Sequence, residues 1–188
     1  MVIQKNIRNG HMNIRGNGMV MIQIVNNEVK AMQGLILRKR EKEYSYFDEI
    51  FTKIPELSEE YNWLITYPEC YPISPEIRKI LTEDEIWIKG EKLGALLKQE
   101  RFQWIWGVLS GFKKTVPISK IKTYSLPYAE NYEGFWKNPI TIQHPLADIE
   151  IVAWDSSCTL FISKEEWIIE EIKELYPLSE DLEKYNER

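Results

Sequence analysis

Apolar residues recur along the chain in two periods. Residues 21–25 and 32–38 are apolar runs containing β-branched side chains, and both predict strands, with Asn26 and Asn27 as the turn between them. Phe47, Ile50, Phe51 and Ile54 fall at i, i+3, i+4 and i+7, the spacing of one helix face. Ser45 and Asp48 stand as a capping box for that helix, over 45–54, and Pro55 stops it. Residues 61–66 read as a strand. Pro68, Pro72 and Pro75 crowd the next stretch, which predicts a stiff loop and excludes a central strand. Ser74 followed by Pro75 marks the start of a short helix over 75–81.

Farther on, 85–88 reads as a strand and 90–100 as a helix carried by Leu93, Leu96 and Leu97. Residues 102–109 are apolar on both alternations, as suits a central strand covered on both faces. Residues 111–138 hold Pro117, Pro127, Gly134 and many aromatics with no clear period, the mark of a functional or partner-facing loop. Strands are expected over 140–143, 148–154 and 159–162, the last two joined by a turn at Asp155, Ser156 and Ser157. Ser163 and Glu166 form a second capping box, heading a helix with Ile168, Ile172, Leu175 and Tyr176 on its buried side. No solenoid repeat or glycine-serine linker divides this body. The expectation is one α+β domain over 21–188, with three to four helices packed on a mixed, mainly antiparallel sheet.

Residues 1–20 differ. They carry Lys5, Arg8 and Arg15 with no acid, and two near-copies of one heptad, NIRNGHM and NIRGNGM. This predicts a disordered tail, with Met19 or Met21 as the native start. The whole chain has 24 basic and 29 acidic residues, a net charge of −5, which argues against phosphate neutralisation and so against nucleic-acid binding. No apolar run is long enough for a transmembrane helix. Two distant cysteines, Cys70 and Cys158, and no secretory pattern predict a reduced, cytoplasmic protein.

Chemical motifs are sparse. The dinucleotide fingerprint is absent, and 107–115 fails the spacing of a phosphate loop, so it reads as a strand end and turn. No metal set or cofactor motif appears; Asp148 and Glu150 share a strand face and read as a solvated outer face. His144, Asp155, Ser156, Ser157 and Cys158 are close in sequence. A hairpin places His144 and Asp155 at opposite ends, about 20 Å apart by strand rise, too far for a catalytic dyad. Iodoacetamide reactivity of Cys158 is the check on that group.

The aromatic load is the informative feature: seven Trp, ten Tyr and six Phe. Trp63, Trp104 and Trp167 are core by period. Tyr67 and Tyr71 sit on the proline stretch, and Tyr128, Tyr132, Phe135 and Trp136 on the unpatterned one, where exposed aromatics favour protein interfaces. The segment 148–181, with its Asp-Ser-Ser turn between strands and its acidic helix, resembles a family of small uncharacterised bacterial proteins. That resemblance implies a bacterial, cytoplasmic α+β protein and no activity. The expected function is a non-enzymatic, antitoxin- or immunity-like module that binds a basic protein through an acidic, aromatic surface. The alternative is a small-molecule binder or enzyme with a pocket near 124–144, using Tyr132, His144 and Asp155.

Overall fold

The computed structural model describes residues 32–38 and 45–188; the tail over 1–20 and the strand expected over 21–25 lie outside the described residues. The apolar runs become β1 (Gln33–Leu37), β2 (Tyr61–Cys70), β3 (Glu85–Lys89), β4 (Trp104–Lys113), β5 (Ile149–Trp154), β6 (Cys158–Ser163) and the two-residue β7 (Glu180–Asp181). They form one seven-stranded sheet in the order β3-β2-β4-β5-β6-β1-β7, and every neighbouring pair is antiparallel. The fold is α+β. Its helices are α1 (Asp48–Lys53), α2 (Glu56–Glu59), α3 (Pro75–Ile80), α4 (Gly90–Gln99), α5 (Ile118–Ile121), α6 (Glu166–Leu175) and α7 (Leu182–Asn186). Among the described residues that is more than the three to four expected, because α2, α5 and α7 span four or five residues, too few to show a period.

The two sheet faces are buried differently. Helices α1, α2, α4 and α6 cover one, packing Ile50, Phe51, Leu57, Leu93 and Ile172 onto Trp63, Ile65, Leu109, Ile151 and Phe161. Phe51 meets Trp63 edge-on at 5.1 Å, and the Trp63 indole N–H donates to the Leu57 carbonyl at 2.9 Å. Helix α4 approaches α2 closely. A Cβ on Gly90 would overlap the carbonyl oxygens of Ser58 and Tyr61, so only glycine fits there. The other face, with Leu64, Val108, Phe112, Val152, Leu160 and Ile162, is covered mainly by chain without regular structure. Ile121, Ala129, Phe135, Ile140, Ile142 and Ala147 supply most of that cover, and Leu182 of α7 completes it.

Four local expectations are corrected. Strand β2 does not stop at Thr66 but runs through Pro68 to Cys70. It can do so because β3 ends opposite Thr66, leaving β2 paired only to β4, and Pro68 falls in a bulge where no ladder hydrogen bond is needed. Ser45 does not cap a helix. Helix α1 starts at Asp48, while the Ser45 carbonyl accepts from Trp104 N at 2.9 Å and its hydroxyl accepts from the Gln103 amide at 3.1 Å, tying this turn to β4. Residues 140–143 form no strand; Ile140 and Ile142 plug the second core as part of the cover. Ser163 heads no capping box either, since its hydroxyl accepts from Glu165 N at 2.9 Å, and α6 begins only at Glu166.

Candidate functional site

Among the described residues, the most exposed aromatic surface is built around the β2–β4 bulge. Thr66 faces Val108 and Glu69 faces Trp106, so β2 carries one residue more than β4 between these pairs. Tyr67 takes a left-handed φ of 47°, and its amide donates to the Asp84 carbonyl at 2.9 Å. Strict alternation would send Tyr67 after Ile65 onto the helix-covered face. The bulge instead sets it in a cleft beside Trp106. Opposite, Gly107 has a φ of 144°, and a Cβ there would stand 3.3 Å from Pro68 Cα, so glycine lets the two strands bend together.

Tyr128 and Ala129, from the irregular cover, form the far wall of this cleft of about 340 Å³, with Glu69 and Glu130 as its charged groups among the described residues. Tyr67, Tyr71 and Tyr128 are 44 %, 71 % and 45 % exposed, large values for tyrosines that could have packed inward. The Tyr71 hydroxyl donates to Glu69 Oε1 at 3.2 Å, which holds this ring at the rim. Ile73, two residues on, is also exposed. Behind it the loop is clamped, because both the Ile73 and Ser74 amides donate to the Glu100 carboxylate. Ser74 then caps α3, its hydroxyl accepting from Ile77 N at 3.4 Å.

The other aromatics singled out from the sequence are placed deeper. Phe135 is fully buried. It contacts Tyr132 at 4.8 Å and Trp154 at 6.2 Å, so it supports the surface without reaching it. Tyr132 is half-buried and meets Tyr128 edge-on at 5.2 Å, steadying the cleft wall. Trp136 does not line the cleft; it packs on Trp154 and Tyr185, and Trp154 in turn meets the cleft's Trp106 edge-on at 5.1 Å. Glu69, Trp106, Ala129 and Glu130 are the cleft members that the sequence did not single out. For Trp106 the W-I-W-G run was a signal, since a glycine inside an apolar strand often marks a bulge.

The polar residues proposed for a ligand pocket do not converge. His144 is buried between Phe112 and Tyr124, with ring centroids 4.7 Å and 5.3 Å away. Its Nδ1 accepts from Leu146 N at 3.3 Å, so the proton is on Nε2, which donates to the Ile121 carbonyl at 3.2 Å. Burial lowers its pKa, and the imidazole is neutral. Asp155 is exposed in the β5–β6 turn, where it and Ser156 adopt left-handed φ values of 49° and 50°. Ser157 Oγ donates to the Trp154 carbonyl at 3.0 Å as a turn contact. Cys158 is buried, and burial pushes its thiol up to about 11, which leaves it a poor nucleophile. Cys70 and Cys158 are both free thiols.

Glu150 is not on a solvated face. It is fully buried beneath the irregular cover, and its carboxylate accepts from Gln143 N at 2.8 Å, His144 N at 2.9 Å and Ser110 Oγ at 3.2 Å. Burial pushes its pKa up to about 7. The group fastens the cover to the sheet, with Lys164 Nζ donating to the carbonyls of Pro145 and Ala147 nearby. Among the described residues no three ligand-type side chains cluster as a metal site, and no helix is long and apolar enough to cross a membrane. Comparison with protein-family models, with curated proteins and with solved structures finds no match to this chain.

Proposed function

We propose that this chain is a non-enzymatic cytoplasmic module that binds a basic protein at the cleft between Tyr67 and Tyr128, in the manner of an antitoxin or immunity protein. The observation that carries this reading is the pairing of exposed aromatic rings with two carboxylates and no described cation around one concavity. An arginine or lysine of a partner gains there from the ring faces of Tyr67, Trp106 and Tyr128 and from the charge of Glu69 and Glu130. The clamp on Glu100 and the fixed backbone at Pro72 and Pro75 reduce the ordering cost of binding. A net charge of −5 steers a basic partner toward the molecule and disfavours nucleic acid.

A photo-crosslinking residue placed at Tyr71 tests this directly, with the same residue at the exposed Glu170, on α6, as control. One basic protein crosslinked from position 71, less at high salt and absent from position 170, supports the reading. No crosslink at 71, or the same products from both positions, refutes it.

A further inference from the structure

A second concavity, of about 760 Å³, has the opposite electrostatic character. Arg38 at the end of β1 and Arg188 line it with Trp136, Trp154 and Tyr185. The rings form a continuous L: Trp136 stands perpendicular to Trp154 at 5.0 Å and lies 6.1 Å from Tyr185. Both guanidinium groups lie against Tyr185, with Arg38 Cζ 5.1 Å and Arg188 Cζ 5.5 Å from the ring centroid. Arg38 Nη1 also donates to the Tyr185 hydroxyl at 3.0 Å. Among the described lining residues Glu180 is the counter-charge, 2.7 Å from Arg188, on a pair whose arginine side chain is 62 % exposed and therefore exchanges partners at little cost.

We propose that this groove binds a small planar aromatic anion, its ring on Trp136 and Trp154 and its carboxylate or phosphate on Arg38 and Arg188. Among the described residues, Arg38 donates one N–H to the Tyr185 hydroxyl and lies against that ring, so its planar fork is already oriented. An oxyanion placed between the two guanidinium groups replaces Glu180 at Arg188 with a partner shared by both. The indole faces supply the selectivity for a flat ring, which neither arginine provides alone. The acid-lined cleft at Tyr67 selects against the same ligand, so the two concavities accept opposite charges.

The test is a titration of the purified full chain with AMP and with 4-hydroxybenzoate, read by tryptophan fluorescence and by melting temperature. Adenosine, phenol and inorganic phosphate are the controls that carry the ring or the anion alone. The proposal expects at least one planar anion to bind saturably, raising the melting temperature, with its ring-only and anion-only controls at least about tenfold weaker. Arg188→Ala, a change at an exposed side chain, and Arg38→Lys, which keeps the charge but loses the fork, each weaken binding by about tenfold. Tyr67→Ala leaves it unchanged. No saturable response to either anion up to about 10 mM overturns the proposal. Equal binding of the neutral controls, or full affinity in both arginine variants, overturns it as well.

Discussion

Replacing Glu150 with glutamine probes how the irregular cover is held. The carboxylate is fully buried on β5 and accepts from Ser110, Gln143 and His144. Burial raises its pKa from the ordinary 4.5 to about 7, against the opposing pull of those three donors and of the Lys164 charge. Between these values the folded protein keeps the proton while the unfolded chain has released it. The contribution is fully present below pH 4.5 and is lost as pH rises through 7. The loss amounts to about 3 kcal/mol. Ser110 can accept as well as donate, which gives the protonated acid a partner. In E150Q nothing titrates at this position. The amide oxygen serves His144 N and Ser110, but the amide NH₂ meets Gln143 N–H, a cost of about 1–3 kcal/mol at every pH. The variant is therefore less stable than wild type in acid, and the gap shrinks by about 3 kcal/mol toward neutral pH. His144, held neutral below its ordinary 6.5, costs both proteins stability as pH falls under that value, so it drops out of the difference. Urea unfolding of the pair across this range measures the gap. A gap that is constant, or that widens as pH rises, refutes the reasoning.

Other consequences are simpler to read. Gly90→Ala forces a methyl into the carbonyls of Ser58 and Tyr61 and should lower stability by about 1–3 kcal/mol in denaturant unfolding. Ser74→Ala removes the cap of α3 and should cost about 1 kcal/mol by the same measurement. Native Cys158 should stay unmodified by iodoacetamide at about pH 8 and react once urea unfolds the chain; rapid labelling of folded protein contradicts the burial described above.

Most of the helix-covered face was legible in the sequence, because its elements obey one period each. Helix α4 shows Leu93, Leu96 and Leu97 at helical spacing, and the β5–β6 turn announces itself by Asp155 and Ser156. The other face was not legible. Its cover from 114 to 147 packs single residues such as Ile121, Phe135 and Ile142 into the sheet at irregular intervals, so no period records it. Glu150 shows the consequence. In the run I-E-I-V-A-W an acid between apolar residues reads as solvent-facing, and only the distant amides of Gln143 and His144 make its burial tolerable. The cleft was half legible. Tyr67, Tyr71 and Tyr128 stood out as aromatics in weakly patterned chain, but their meeting depends on a bulge that carries β2 through Pro68, against the usual meaning of proline.

The central claim is that the cleft between Tyr67 and Tyr128 recognises a basic protein. The most direct measurement is affinity capture from source-cell lysate at low salt, run side by side with wild type and with the Tyr67→Ala, Tyr128→Ala double variant. Both side chains are about half exposed, so the variant should unfold at nearly the wild-type urea concentration, and loss of capture then reports binding alone. The account predicts one basic protein retained in stoichiometric amount by wild type, released by salt, and lost from the variant. Retention of the same protein by both baits, or no retained protein on either, contradicts it.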